Sequence, residues 1–334
     1  MTASNPSAAP RVSVLIVNFN SGDWLARCLG GLVGQSMAAF EAVVVDNASH
    51  DGSLARARAA VDDPRIRFEA LPDNLGFAAG NNHAARFARA PLLATLNPDA
   101  VPARDWLERL IAAADTYPDV AMFGSTQRAA GDPTRFDGIG DAYFALGLPW
   151  RGGFGRALRP LPARFESFAP CAAAALYRRD GFEALGGFDE RFFCYVEDVD
   201  LAFRWRLAGG RALQVSDAMV DHAGGASAAS SGFAAYHGAR NLIWTFVKNM
   251  PGPLFWPLLP GHVALVKLLM LRALVRGEAR PVWRGVWHAL AALSAIWRER
   301  RRIQAARRAS ACQIARALNW APWRLIDRMP SGVG

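Results

Sequence analysis

Residues 12–20 read VSVLIVNFN and residues 40–53 read FEAVVVDNASHDGS. Each opens with a short apolar, β-branched run, Val12–Val17 and Phe40–Val45, that stops at polar side chains. Asn18 and Asn20 end the first, Asp46 and Asn47 the second. Apolar runs of this length predict buried strands. Between them Asp23–Leu32 has helical spacing. Working outward, Ile66–Leu71 predicts a third strand, Phe77–Arg89 a helix, Leu92–Leu96 a fourth strand, Trp106–Tyr117 a helix and Val120–Phe123 another strand. Alternating strands and helices predict an α/β fold with a mostly parallel central sheet and helices on both faces. The polar clusters fall just past the carboxyl ends of strands, the edge at which open α/β sheets bind ligands.

The later chain is less periodic. Residues 128–168, rich in Gly, Arg and Pro, are expected to form loops and short strands across that edge. Leu176–Leu185 and Val199–Leu207 predict helices, and Ala212–Val215 a strand. Hydrophobic residues make up 52% of the 334 and charged residues 20%, enough apolar side chain for a sizeable core. Cys28, Cys171, Cys194 and Cys312 form no CxxC pair, so reduced cysteines are expected rather than a disulfide framework. Residues 1–10 lack a basic start and an apolar run, so they are expected to be a disordered N-terminus and not a secretory signal. No uninterrupted apolar stretch reaches the length of a membrane-spanning helix.

The net charge of +9 is unevenly placed. From Met250 onward there are 14 basic and 3 acidic residues; before it there are 24 basic and 26 acidic. The basic character thus belongs to the tail, and the acidic balance of the body argues against nucleic acid as a partner.

Five segments carry polar groups suited to chemistry. Asp46–Ser53 and Asn74–Asn82 are small-residue, glycine-containing loops that can approach a ligand closely, although a capped turn explains each equally well. Asn74 and Gly76 open the second, which matches neither GxGxxG nor a P-loop. Asn97-Pro98-Asp99 sets a carboxylate past a buried strand; a hard divalent cation can use one such ligand together with phosphate, and a plain turn uses one too. Residues 186–200, GGFDERFFCYVEDVD, place Asp189, Glu190, Glu197, Asp198 and Asp200 among aromatics. Helix-dipole pairing and an Asp200–Arg204 contact account for part of this. Acids beside Phe192, Phe193 and Tyr195 are better explained as carboxyls with raised pKa, which suits a general base. His222 lies in the small-residue stretch HAGGAS, 222–227; a lone histidine is more often ordinary than a ligand, yet imidazole is a frequent metal ligand.

Taken together, VSVLIVNFN (12–20), VVDNASHDGS (44–53), NLGFAAGNN (74–82), LNPDA (96–100), GGFDERFFCYVEDVDLAFR (186–204) and HAGGAS (222–227) resemble, in order, family-2 glycosyltransferases of the GT-A fold. They look most like the bacterial rhamnosyltransferase-like branch, and the likeness spans about residues 12 to 241. The resemblance implies an inverting transferase that moves a sugar, L-rhamnose from dTDP-rhamnose with UDP-linked sugars such as galactofuranose as the alternative, from a nucleotide-sugar donor to a hydroxyl of a lipid-linked or polysaccharide acceptor in cell-surface glycan synthesis. It implies donor contacts at Asn18, Asn20, Asp46, Asn47, Asn74, Gly76, Asn97 and Asp99, with Asp46 on the pyrimidine. Asp99 and His222 would hold a divalent cation, Mg²⁺ or Mn²⁺. Asn97 departs from the family's DxD pattern and leaves fewer charged ligands. Asp198 would be the catalytic base with Glu197 beside it. Cys171, Arg178, Asp189 and Glu190 would face the acceptor; the Ala169-Pro170-Cys171-Ala172 stretch departs from the Gly-Ala type usual in relatives. The second function class is a non-catalytic nucleotide-sugar-binding or scaffold protein on the same fold.

These readings divide the chain into a catalytic domain, 11–249, and a basic, Trp-rich helical C-terminal region, 250–334. In that region Trp283, Val286, Trp287, Leu290, Leu293 and Trp297 recur at helical spacing among Arg280, Arg284, Arg298, Arg300, Arg301 and Arg302. Tryptophan on one face with basic side chains around it suits a helix in a membrane interface. The expected partner is an anionic membrane surface, with the protein cytoplasmic and peripheral on the inner face; a helical subdomain packed on the core is the competing reading.

Overall fold

The structure is a computed structural model that describes residues 9–224 and 231–329. Residues 1–8 of the expected disordered N-terminus and residues 225–227 of the HAGGAS stretch lie outside these. In chain order the first half contains β1 (Val12–Asn18), α1 (Trp24–Val33), β2 (Phe40–Asp46), α2 (Ser53–Ala60), β3 (Ile66–Ala70), α3 (Gly76–Ala85), β4 (Leu92–Leu96), β5 (Ala100–Pro102) and α4 (Trp106–Thr116). Then come β6 (Met122–Ala129), β7 (Asp132–Gly138), β8 (Asp141–Phe144), β9 (Leu148–Arg151), β10 (Arg164–Glu166), β11 (Ala174–Arg178), α5 (Arg179–Ala184), α6 (Glu197–Leu207) and β12 (Ala212–His222). The chain ends in helices: α7 (Ser231–Asn249), α8 (Gly252–Val275), α9 (Ala279–Ala291), α10 (Leu293–Ala305), α11 (Ala311–Ala317) and α12 (Arg324–Asp327).

The main sheet runs β10-β12-β6-β11-β4-β1-β2-β3. The strands β3, β2, β1, β4, β6 and β12 point one way; β11 enters between β4 and β6 in the opposite sense. Every residue of β1 and of β2 is buried, as expected of strands covered on both faces. The period of two sorts their side chains: Val12, Val14 and Ile16 enter one core with α1 and α4, whereas Leu15 enters the other with α3, α6 and α7. In α1 the buried positions Leu25, Cys28, Leu29 and Leu32 form the stripe that fits this face.

Three expectations change. Leu176–Leu185 is not one helix: Leu176 and Tyr177 belong to β11, where the slot between β4 and β6 buries both faces of the strand, and only Arg179–Ala184 is helical. The strand expected at Ala212–Val215 continues to His222 through a register shift between Val215 and Met219. A helix of spanning length does exist: α8 has 24 residues, and an 18-residue stretch of it has mean hydropathy 1.7, so by length and composition it is long and apolar enough to cross a membrane. Pro257 and Pro260 do not end it; the carbonyls they deprive of partners, those of Pro253 and Trp256, belong to exposed residues.

The C-terminal helices are docked against the sheet and its covering helices, and Val286, Ala289, Ile296, Ile314 and Leu318 share a core with the sheet. Helices α7 and α9 approach so closely at Gly285 that a Cβ there would lie 2.4 Å from the Tyr236 carbonyl oxygen. Buried Arg300 donates to the Val247 and Met250 carbonyls and so caps the C-terminus of α7 with a cation.

Candidate active site

Parallel pairing sets Asn18 directly beside Asp46 at the carboxyl edge. Asn18 Nδ2 donates to Asp46 Oδ1 at 2.6 Å and reaches Ser49 Oγ and Ser53 Oγ, while Ser21 Oγ donates to Asn18 Oδ1. The Asn18 side chain is therefore spent on tying two loops together. Asp46 Oδ2 accepts from Ser49 N at 3.0 Å, and each of its oxygens has accepted a single bond from the protein, which leaves acceptor capacity. Asn20, at φ +48°, accepts from His50 N. Asn47 Nδ2 donates to the Gly76 carbonyl, and Asn74 Oδ1 accepts from Gly76 N. Gly76 is required: at φ +82° its Cβ would lie 2.6 Å from the Phe193 carbonyl oxygen. Ala78 N donates to that same oxygen at 3.1 Å, so the 74–82 loop is fastened to the acidic segment.

The second cluster forms where β5 pairs with the end of β12 and sets His222 opposite Ala100. Asp99 Oδ1 lies 3.2 Å from His222 Nε2, Asn97 Nδ2 lies 3.2 Å from the same nitrogen, and His222 Nδ1 meets Asp137 Oδ2 at 2.7 Å. Burial lowers the basicity of the imidazole, but the hydrogen bonds to Asp137 and Asp99 outweigh it and raise the pKa to about 9. This set fits a divalent cation. Asp99 offers carboxylate oxygen, Asn97 Oδ1 is buried with no hydrogen-bond partner, and Asp137 orients the ring through Nδ1 so that Nε2 faces those oxygens.

The third cluster is the acids. Asn97 N donates to the Ala173 carbonyl, and Ala172 N, one residue away, donates to Asp198 Oδ2 at 3.0 Å; Val199 N donates to Asp198 Oδ1 at 2.8 Å. Asp198 therefore sits at the same sheet edge as Asn97 and Asp99. Asp141, Cys171 and Asp198 bring a carboxylate or thiol atom each to within 4.8 Å of one another. Burial pushes all three carboxyl groups of Asp141, Glu197 and Asp198 above the usual range. Burial and then the Asp198 charge act on Asp141 and Glu197, whereas two backbone N–H bonds counter burial at Asp198. The anion belongs on Asp198 and the protons on its neighbours. Arg151 joins this cluster to the histidine: its Nη1 is 2.7 Å from Asp137 Oδ2, and it lies in electrostatic reach of Cys171, Asp141 and Asp198.

The segment ahead of Asp198 is strained. Phe193 (φ +65°, ψ −64°) forms a γ-turn closed by Cys194 N on the Phe192 carbonyl, and Tyr195 and Val196 have φ +69° and +70°. Each such residue costs about 1–3 kcal/mol and persists only where its surroundings over-determine it. Helix α7 does so: Asn241 Nδ2 donates to the carbonyls of Phe192, Cys194 and Tyr195 at 3.0, 3.0 and 2.7 Å, and Arg240 Nη2 to those of Arg191 and Phe192. Asp200, fully buried, binds Arg204, Lys248 and Asn249. Removing one partner from a buried set of this kind costs about 3–5 kcal/mol.

Three residues expected on the acceptor side stand elsewhere. Arg178 is at the opposite end of the sheet, because β11 runs antiparallel and sets it beside Leu92; it donates to the Val120, Ala114 and Tyr117 carbonyls. Asp189 is held by Arg191 and Lys248, and Glu190 accepts from Asn82; both line a separate polar cavity against α10. Cys171 does lie beside Asp198, its thiol pushed up to about 12 by burial. Asp137, Asp141, Arg151 and Asn241 were not foreseen. The first three lie in the aperiodic 128–168 stretch, and Asn241 lies 43 residues beyond the acid it serves.

The sequence profile of glycosyl transferase family 2 matches residues 13–186. The chain is 29% identical over 303 residues to the N-acetylglucosaminyl-diphospho-decaprenol L-rhamnosyltransferase of Mycobacterium tuberculosis, covering 80% of this chain and 95% of that protein. Among solved structures, the mannosyltransferase PcManGT from Pyrobaculum calidifontis, in complex with GDP-Man and Mn²⁺, superposes with a TM-score of 0.55 at 21% identity, covering 91% of this chain and 88% of that one. Staphylococcus aureus TarS 1–349 in complex with UDP gives 0.51 at 16%, covering 72% and 66%. These two likenesses establish the shared fold.

Two outcomes are expected. Asn241→Ala should lower turnover by about 10²-fold through misplacement of the 193–198 segment, with donor affinity changed less than about twofold; wild-type turnover would show that the segment holds its shape unaided. In metal-free protein His222 is protonated at neutral pH, and its folded pKa lies above its unfolded one. Its contribution is thus fully present below about pH 6.5 and lost as pH rises through about 9, on the order of 2–3 kcal/mol. Urea unfolding of wild type and His222→Gln should converge in stability across that window; a pH-independent difference would contradict the assignment.

Proposed function

The chain belongs to glycosyl transferase family 2, and from that premise we propose that it is an inverting transferase. It would take L-rhamnose from dTDP-rhamnose and place it on a hydroxyl of a lipid-linked acceptor in cell-surface glycan synthesis. The observation that carries the reading is the position of Asp198 at the same sheet edge as Asn97 and Asp99, joined to His222 through Asp137 and Arg151. The choice of sugar and acceptor is supported by the activity of the mycobacterial relative, an L-rhamnosyltransferase whose length the match covers almost entirely.

In this reading Asp46 accepts a hydrogen bond from the pyrimidine, and the 74–82 loop closes over the nucleoside. Asp99 and His222, with Asn97 beside them, would hold a divalent cation that neutralises the departing diphosphate. The acceptor oxygen attacks the anomeric carbon from the face opposite the nucleotide. The bond to the diphosphate breaks with its electron pair, and the hydroxyl proton passes to Asp198. One displacement inverts the configuration. Asp198 is suited to this because its raised pKa makes it a stronger base, while the neutral carboxyls of Asp141 and Glu197 add no competing negative charge.

Membrane attachment is the second part of the proposal. On α8, Trp256, Val263, Leu268, Leu271, Leu274 and Val275 are exposed along one stripe. Trp283 and Trp287 of α9 adjoin it, and Trp283 Nε1 lies 3.4 Å from the Met270 carbonyl oxygen. Trp297, in contrast, packs inward on Phe255, and Arg300 is buried, so neither faces lipid. The remaining arginines on these helices suit anionic headgroups, at about 1 kcal/mol per residue near the surface. Because Phe255, His262 and Ala273 anchor α8 to the protein, an interfacial position fits better than a spanning one.

Asp198→Asn should reduce kcat by about 10²–10⁴-fold and leave donor binding intact, whereas Asp141→Asn, which replaces one neutral group by another, should stay within about tenfold of wild type. Equal losses in the two variants would remove the assignment of the base. Full-length protein should sediment with phosphatidylglycerol vesicles, and the triple variant Trp256→Glu, Leu271→Glu, Trp287→Glu should remain in the supernatant. Indistinguishable partition of the two would end the membrane reading.

A further inference from the structure

A cavity of about 360 Å³ lies between the acidic segment and the C-terminal helices. Its walls are apolar: Val196 on one side, Leu148 and Pro149 from β9, Leu242 of α7, Leu269 of α8 and Val282 of α9. The space exists because α7 presents Ala234, Ala235, Gly238 and Ala239 there; a Cβ built on Gly238 would meet open space. At the rim stand Arg272, near the end of α8, and Arg276, one turn on at its C-cap, both exposed and neither in an ion pair among the described residues; Glu278 also lines the rim, so its net charge is +1. Val196 lines the cavity two residues before Asp198, and the rim adjoins the exposed apolar stripe at Leu268, Leu271 and Val275.

An apolar chamber with two adjacent free guanidinium groups at its mouth calls for an apolar chain that ends in a multiply charged anion. We propose that this cavity receives the terminal isoprenoid of a prenyl diphosphate, that Arg272 and Arg276 bind its diphosphate, and that the sugar carried by the diphosphate extends past Tyr195 toward Asp198. The proposal rests on the reading of a lipid-linked acceptor and gives that acceptor a place. It also assigns the two arginines a role distinct from general attraction to anionic lipid. A single diphosphate matches two guanidinium groups in charge, and a chamber walled by small residues of one helix takes one chain rather than the paired chains of a phospholipid.

The test uses the full chain in detergent-free buffer with farnesyl diphosphate as probe, and with farnesol, inorganic pyrophosphate and phosphatidylglycerol vesicles as separate arms. Calorimetry should show farnesyl diphosphate binding at least tenfold more tightly than farnesol or pyrophosphate. Arg272→Gln combined with Arg276→Gln should weaken it at least tenfold, and so should Gly238→Leu, whose side chain enters open space and so leaves the fold intact. Donor nucleotide affinity and melting temperature should be unchanged in all of these, which keeps a failure here separate from a failure of the transferase reading. Equal affinity of wild type and both variants would overturn the proposal. So would farnesyl diphosphate binding that phosphatidylglycerol vesicles displace as readily as unlabelled probe does.

Discussion

One amide group holds the catalytic geometry together. Asn241 Nδ2 binds three carbonyls of a segment in which Phe193, Tyr195 and Val196 all have positive φ. Left to itself, a β-branched residue such as Val196 would leave that region, and Glu197 and Asp198 would turn with it. The amide's two hydrogens are shared among the three carbonyls, each full bond contributing about 0.5–1.5 kcal/mol, and charged Arg240 adds its own bonds to the same segment. Helix α7 therefore positions the segment that carries Asp198, without contributing a side chain to the Asp198 or His222 clusters. It keeps its own place through α9 and α10, so the helical extension braces the segment that carries Asp198.

The electrostatics follow from that placement. Once Asp198 is fixed against Ala172 N and Val199 N, both of its carboxylate oxygens have backbone donors for a negative charge. Burial and the Asp198 charge bias Asp141 and Glu197 beside it toward their protonated forms. Arg151 and His222 supply the positive counterpart and share Asp137 between them. A proton on His222 Nε2 stands where a cation would bind, so the proton and a metal are alternatives for one position between His222 and Asp99. The cleft is thus arranged with a base on one side and cation-holding groups on the other, the polarity that a single displacement at an anomeric carbon requires.

How much of this was legible in the sequence depends on locality. The buried runs at β1 and β2 reveal themselves because a strand covered on both faces admits few polar residues, and their ends mark the binding edge by the sudden return of Asn and Asp. Asp99 and His222, 123 residues apart, could be paired only through the family likeness; β5 pairing with β12 is what brings them together. Asp137, Asp141 and Arg151 sit on short strands with no helical or alternating pattern, and nothing in their immediate neighbours distinguishes them from surface charges. Arg178 misled because sequence distance from Cys171 is small, but seven residues along an antiparallel strand carry the chain across the sheet. The prolines of α8 misled for a related reason: their effect depends on whether the freed carbonyls face core or solvent, which sequence does not say.

The same helices that brace the acidic segment also turn an apolar stripe outward, and the two functions constrain each other. If α8 lies in a bilayer interface, its inner side at Phe255, His262 and Ala273 fixes the orientation of the catalytic domain relative to the lipid. The cavity bounded by Val196 and Leu269 then joins interface to base. A water-soluble acceptor would need none of this. An acceptor held in the membrane, as proposed, would use all of it, because its hydroxyl has to reach the Asp198 edge from the bilayer surface. The union of brace, stripe and cavity in α7–α9 fits that proposal, in which a basic, tryptophan-rich extension has reason to be packed into the core of the protein rather than tethered to it.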